Sequence, residues 1–285
     1  MMAEDAGTPV VLLHGVGLDR TVWARVEDRL DRPTVALDLP GHGSQPPLTE
    51  ATTLEDMAGD IAARMPAGPV HLVGFSLGSL IAQQLAATLP GRVRTLTCVS
   101  SVAARTDDEA AAVRARLDGA YEDFTGSMER ALDRWFPAGE SPETTDWREE
   151  TRTVLLANDP DSYRHAYAVF ATGDRAIAPR LPAITAPTLA ITGERDPGST
   201  PDMSRRLGAL ITGAEVVIIP GARHMLPVTH PETLARRVGA LIDDSAVPTD
   251  LDAVLDDDSP VAQGGSPVDH DHTAVAHDHS ERSQR

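Results

Sequence analysis

The pentapeptide Gly74-Phe75-Ser76-Leu77-Gly78 constrains this chain more than any other stretch. It lies between the apolar run Val70 to Val73 and a segment with helical spacing, Ser79 to Leu89. A buried strand, a tight turn and a helix, in that order, make an elbow that pushes the central hydroxyl out at the carboxyl end of the strand. The turn is too sharp for side chains at both flanks, which accounts for the two glycines. The helix that follows aims its N-terminal amides at the same spot and favours negative charge there. Gly and Ser are common, so the motif draws its weight from the strand-turn-helix setting. Without that setting the reading is an ordinary strand-to-helix loop carrying a serine.

The rest of the chain supplies the setting. Val10-Val11-Leu12-Leu13 and Thr34-Val35-Ala36-Leu37 are short runs of the kind a parallel sheet buries on both faces. The first ends in His14-Gly15-Val16-Gly17, the second in Asp38-Leu39-Pro40-Gly41-His42-Gly43. Trp23 to Leu30 reads as a helix with Thr21 as its N-cap, and Thr53 to Met65 as another, closed by Pro66. A strand over Thr95 to Ser100 follows the elbow helix. From Ala103 to about Pro182 the alternation lapses into Ala, Arg and acidic residues with helical spacing. It resumes with a strand over Thr188 to Thr192, a helix from Met203 to Leu210, a strand over Val216 to Ile219 and a last helix from Glu232 to Ile242.

This pattern predicts an α/β fold: a mainly parallel sheet of about six strands with helices on both faces and an inserted helical cap. The expected division is a core domain in two parts, residues 1–102 and 187–243, a helical cap over 103–186 and a tail over 244–285. An insert as long as the cap is typically a lid or a binding element. The tail changes composition to Asp, Ser, Pro and Gly with scattered apolar residues, which predicts disorder. Its His270, His272, His277 and His279 alternate with acids, and a solvated tail is favoured over a weak metal site.

Composition excludes several functions. All 25 basic residues are arginine, so Schiff-base catalysis by lysine, pyridoxal phosphate anchoring and a phosphate-loop lysine are ruled out. The net charge of −18, about half of it in the acidic tail, argues against nucleic acid or an anionic membrane as partner. No apolar run approaches the ~20 residues of a membrane span. The N-terminus reads as no secretory signal, so the expected location is the cytoplasm. The single cysteine, Cys98, sits in the apolar run Leu96 to Val99 and reads as a buried small hydrophobe.

A serine hydroxyl needs a neighbouring base, and the base needs a carboxylate to orient it. Both must reach Ser76 from loops at the same sheet edge. Among the histidines outside the tail, His224 fits best, following the strand Val216 to Ile219 after Pro220-Gly221-Ala222-Arg223. His71 falls inside a strand, His165 in the cap and His230 before Pro231; His42 reads as shaping its turn, and His14 precedes the serine in the chain. Asp196 fits the carboxylate, in Gly193-Glu194-Arg195-Asp196-Pro197-Gly198; Glu194 lies too near the strand end. The oxyanion formed on attack calls for two preorganised amides. Leu77 supplies one, and the loop opened by Gly15 and Gly17 supplies the other, Val16 first and Gly17 second.

Taken together, these motifs resemble the α/β-hydrolase superfamily over about residues 9 to 243. The stretch Ala157-Asn158-Asp159-Pro160 to Tyr163, with Pro187-Thr188-Leu189, is most similar to the 3-oxoadipate enol-lactonase-like group and related esterases. The resemblance implies a serine hydrolase with the triad Ser76, Asp196 and His224, cleaving an ester or lactone of a small molecule through an acyl-enzyme, without metal or organic cofactor. Two strands that usually precede the His-Gly strand are short or missing here, which would free one sheet edge and leave monomer and homodimer both open. In the cap, Trp135, Phe136, Tyr163, Tyr167 and Phe170 are candidate pocket walls, with plain core as the alternative for each. Arg134 and Arg164 are candidates to bind a substrate carboxylate, as enol-lactones would require, with a solvated surface role as the alternative. The same fold and triad also serve hydrolases of carbon–carbon bonds in ring-cleavage products and cofactor-free perhydrolases of the haloperoxidase type; a ligand-sensing protein is the non-enzyme alternative.

Overall fold

The computed structural model describes residues 7–137 and 142–246. The strands are β1 (Val10–Leu13), β2 (Thr34–Leu37), β3 (Val70–Phe75), β4 (Val93–Val99), β5 (Thr188–Gly193) and β6 (Glu215–Ile219). They form one sheet in the order β2-β1-β3-β4-β5-β6, every neighbouring pair parallel. The strands β1, β3 and β5 are buried along their whole length, in keeping with their mainly apolar sequences, while β2 and β6, at the two edges, are mostly half-buried.

The sheet order reverses between β1 and β3. From β1 the chain passes outward to β2, then returns across to β3 on the other side. Such a switch point opens a crevice at the carboxyl ends of the strands. The register Leu13↔Gly74 brings the loop after β1 beside the elbow after β3.

The helices are α1 (Ala24–Glu27), α2 (Leu54–Arg64), α3 (Leu77–Thr88), α4 (Asp107–Glu122), α5 (Phe124–Trp135), α6 (Pro142–Leu156), α7 (Pro160–Ile177), α8 (Pro201–Leu210), α9 (Leu226–Thr229) and α10 (Pro231–Ala246). The helix α2 opens on a capping box in which the Thr53 hydroxyl accepts from the Asp56 amide and Asp56 accepts from the Thr53 amide. The helix α3 directly follows the elbow and is buried on nearly all sides. Four helices, α4 to α7, occupy the chain between β4 and β5. They pack on one another, and α7 rests on α3.

Arg105, just before α4, ties this group to itself. Its guanidinium meets Asp174 of α7 at 2.8 Å, with both side chains 1% exposed, and lies 4.6 Å over the ring of Phe170. The Arg105 amide also donates to Asp174.

Three details depart from the sequence pattern. The helix expected over Trp23 to Leu30 is a 3₁₀ turn, Arg20–Trp23, followed by the single turn α1. Asp19 caps it by accepting from the Thr21 amide, and the Thr21 hydroxyl is taken up by Asp19, so Thr21 is not the cap. The strand β4 starts at Val93 rather than Thr95, because the pairing with β3 slips one residue between Val70 and His71. The helix α10 continues past Ile242 to Ala246, and Asp243 pairs there with Arg32. The remainder of the expected tail, with its histidines, lies outside the described residues. Among the described residues, no helix is long and apolar enough to cross a membrane.

Candidate active site

Ser76 holds φ 53° and ψ −112°, a conformation that L-residues rarely adopt. The neighbouring backbone enforces it. The Ser76 amide donates to Val99 O at 2.9 Å, and the Gly78 amide to His14 O at 3.0 Å. A Cβ on Gly74 would run into the Gly78 carbonyl, and one on Gly78 into the Leu13 carbonyl. The two flanking glycines are therefore set by backbone packed on backbone, and the elbow cannot relax away from the sheet.

The loops after β5 and β6 bring Asp196 and His224 together. The Arg195 amide donates to Ala222 O at 2.8 Å, the Glu194 amide to Ile219 O at 2.9 Å, and the Glu194 carboxylate accepts from the Gly221 amide at 2.8 Å. Glu194 thus fastens the two loops rather than facing the histidine. Asp196 Oδ1 accepts from the amides of Gly198 and Ser199, each at 2.9 Å, and Oδ2 meets His224 Nδ1 at 2.7 Å. Asp196 is buried, and its carboxylate is held by three donors. With Nδ1 donating to Asp196, Nε2 is the nitrogen left to accept a proton. The imidazole lies between two rings: Phe75 at 5.0 Å, and Trp135 of α5 stacked at 5.4 Å.

Among the described residues, the amides of Val16 and Leu77 meet no protein acceptor, whereas the Gly17 amide donates to His42 Nε2 at 2.9 Å. The second candidate for the oxyanion site is therefore already engaged. The histidines His14 and His42 hold this loop reciprocally. His14 Nε2 accepts from the Leu39 amide at 2.9 Å while Nδ1 donates to Gly15 O at 2.8 Å; His42 Nδ1 donates to Pro40 O at 2.9 Å. Each imidazole thus crosses from one loop to the other, and each must be neutral to accept an amide. Burial pushes His14 down to about 3 and His42 to about 4. The Gly17 carbonyl is held in turn by Asn158 Nδ2 at 2.8 Å, from the turn between α6 and α7.

Ser76, His224 and Val16 line one cavity of about 280 Å³. So do all four expected substrate-contacting residues, Arg134, Trp135, Tyr163 and Tyr167, together with Phe170. Phe136 does not line it and is buried in the core. Arg164 is also elsewhere: it pairs with Asp161, bonds to Ala120 O and lies over the Tyr121 ring, so it is not available to the cavity. Two lining residues that the sequence pattern does not single out are Arg116 of α4 and Arg130 of α5. Nothing in the sequence marks them, since each of the helices α4 to α7 carries two arginines. His71 bonds Thr95 inside the sheet, and burial pushes the Cys98 thiol up to about 12, which leaves it unreactive.

The comparisons with known proteins agree with this architecture. Residues 10–237 match the model of the alpha/beta hydrolase family. The chain is 30% identical over 245 residues to an (E)-2-((N-methylformamido)methylene)succinate hydrolase of Acinetobacter baylyi, covering 84% of this chain and 92% of that one. It is 32% identical over 251 residues to a pimeloyl-[acyl-carrier protein] methyl ester esterase of Chromobacterium violaceum, covering 84% and 96%. Its fold is that of an enol-lactonase from Burkholderia xenovorans, with a TM-score of 0.76 at 23% identity, covering 83% of this chain and 92% of that chain. On sequence and fold alike, the chain belongs to the alpha/beta hydrolase family.

Proposed function

We propose that this enzyme cleaves a carboxylic ester or lactone of a small molecule through a covalent acyl-enzyme. The observation that carries the reading is the convergence of Ser76, on its elbow, with the His224–Asp196 pair on one cavity. A serine held at the mouth of a helix, a histidine with one nitrogen free and a buried carboxylate behind it are the parts acyl transfer needs. The printed name of one relative, a methyl ester esterase, supports the same bond.

In this mechanism His224 Nε2 takes the Ser76 proton as Oγ bonds to the substrate carbonyl carbon. The carbonyl electron pair moves onto oxygen, where the Val16 and Leu77 amides donate to it. Collapse breaks the bond to the leaving oxygen, which takes the proton from His224. A water then gives its proton to His224 and its oxygen to the acyl carbon, and the returning proton restores Ser76. Asp196 stabilises the imidazolium at both stages. The residues of the cap from 103 to 186 close the cavity and choose the substrate.

The test is hydrolysis of short-chain p-nitrophenyl esters by wild type and Ser76→Ala side by side, with a fluorophosphonate probe on both. Activity and labelling that vanish in the variant support the reading. Turnover that survives in Ser76→Ala would remove Ser76 as nucleophile.

A further inference from the structure

The charge inside the cavity runs against the charge of the chain. The protein carries a net −18, yet its cavity is lined by Arg116, Arg130 and Arg134 and by no Asp or Glu. Arg130 is matched outside the cavity, where it meets Asp123 at 3.5 Å and Ser127 at 2.7 Å. Arg116 and Arg134 differ from it. Among the described residues, neither has a carboxylate within ion-pair distance; the polar contact of Arg116 is its Nε donating to Tyr167 OH at 3.3 Å. Other cap arginines find acids readily: Arg148 and Arg152 share Glu129, Arg164 takes Asp161, Arg175 takes Asp107. Arg116 and Arg134 are thus two cations without a carboxylate on the wall of one cavity, in a chain rich in acids.

Such an arrangement is costly without an anion. Partial burial disfavours the Arg134 guanidinium, and the neighbouring Arg116 charge adds repulsion. A carboxylate between them offsets both penalties and satisfies guanidinium donors two at a time. Tyr163 and Tyr167, whose rings lie 5.6 Å apart, add apolar wall beside the two arginines. The volume of about 280 Å³ sits near the lower limit of ligand pockets, which run from roughly 300 Å³ upward, so the occupant is a small molecule.

We propose that the substrate carries a free carboxylate as well as the ester or lactone, and that Arg134 and Arg116 hold that carboxylate in the cavity while the carbonyl faces Ser76. This rests on the ester-cleaving reading above and adds the substrate class to it.

The experiment compares two isosteric pairs: monomethyl adipate against methyl hexanoate, and 6-acetoxyhexanoate against hexyl acetate. The pairs place the carboxylate on the acyl side and on the alcohol side. Expected is a kcat/KM at least tenfold higher for the anionic member of one pair, carried mainly by KM. Arg134→Met should bring that preference close to unity, and Arg134→Lys should restore part of it, which separates charge from folding. A preference below twofold in both pairs, or one that Arg134→Met leaves intact, would overturn the proposal while leaving ester cleavage standing. Calorimetric titration of monomethyl adipate into Ser76→Ala and into the Ser76→Ala, Arg134→Met double variant reads the anion site without turnover. Binding that the second substitution weakens at least tenfold, with no wild-type hydrolysis, would keep the anion site and remove the hydrolase reading. Binding indifferent to Arg134, or none, would overturn the anion site.

Discussion

The indole of Trp135 is stacked on the imidazole of His224, with ring centroids 5.4 Å apart and planes inclined by 21°. One ring belongs to α5, the other to the loop after β6, so a cap residue rests on the candidate base. The stack limits how far the imidazole can tilt away from Ser76 and covers one of its faces. Trp135→Ala is expected to lower kcat on a p-nitrophenyl ester by about tenfold, the scale of a loosened general base. Trp135→Phe should keep most of the rate. Equal losses in both variants would show that the flat ring is not what matters.

Asp196 makes its own forecast. Its carboxylate fixes which nitrogen of His224 carries the proton, so Asp196→Asn leaves the shape and removes the acceptor. An amide can donate to Nδ1 and reverse the tautomer. A fall in kcat of about 10⁴-fold, with KM little changed, is expected from the corresponding substitution in serine proteases. Steady-state kinetics measures it, and a loss below tenfold would assign the orienting role elsewhere.

The histidine clamp predicts an acid-sensitive fold. His14 and His42 titrate near 6.5 when unfolded and at about 3 and about 4 when folded. The unfolded chain therefore binds more protons between these values, and stability falls as pH drops below 6.5. At pH 5 each histidine withdraws about 2 kcal/mol. The urea midpoint of the wild type should fall from pH 7 to pH 5, and that of His42→Gln should fall less. The same variant, whose flexible amide oxygen holds the Gly17 amide less firmly than the fixed imidazole, should lower kcat more than it raises KM.

The pair Arg105–Asp174 is buried on both sides, and the Nε and one terminal nitrogen of Arg105 have no hydrogen-bond partner among the described residues. Asp174→Ala would leave a buried guanidinium without its anion. A loss of about 3–5 kcal/mol is expected, measured by chemical denaturation. The Arg105→Met, Asp174→Leu double variant should recover much of it, because two apolar groups of similar size replace the charges.

Legibility in the sequence followed the chemistry of burial. Val10–Leu13, Val70–Phe75 and Thr188–Gly193 are buried along their length, so their mainly apolar runs announce strands, and the residues that follow each run announce the loops at one sheet edge. Ser76 and Asp196 could be placed on that ground, and His224 on the apolar stretch Val216 to Ile219 of the half-buried edge strand before it. The cap gave no comparable signal. Arg164 and Arg134 both sit on helices with acids nearby, and only the packing turns one outward and the other toward the cavity. Arg116 was hidden for the same reason. The 3₁₀ turn at Arg20–Trp23 depends on a side-chain cap from Asp19, a choice that helical spacing does not encode.

The backbone of Ser76 has a consequence for how the protein can change over evolution. A residue with a side chain at φ 53° and ψ −112° stores about 1–3 kcal/mol that glycine would not. Stability and the proposed catalysis therefore favour different residues at this one position. A chain selected only to stay folded would drift toward glycine at 76, becoming hardier and, on the proposed role of Ser76, inert.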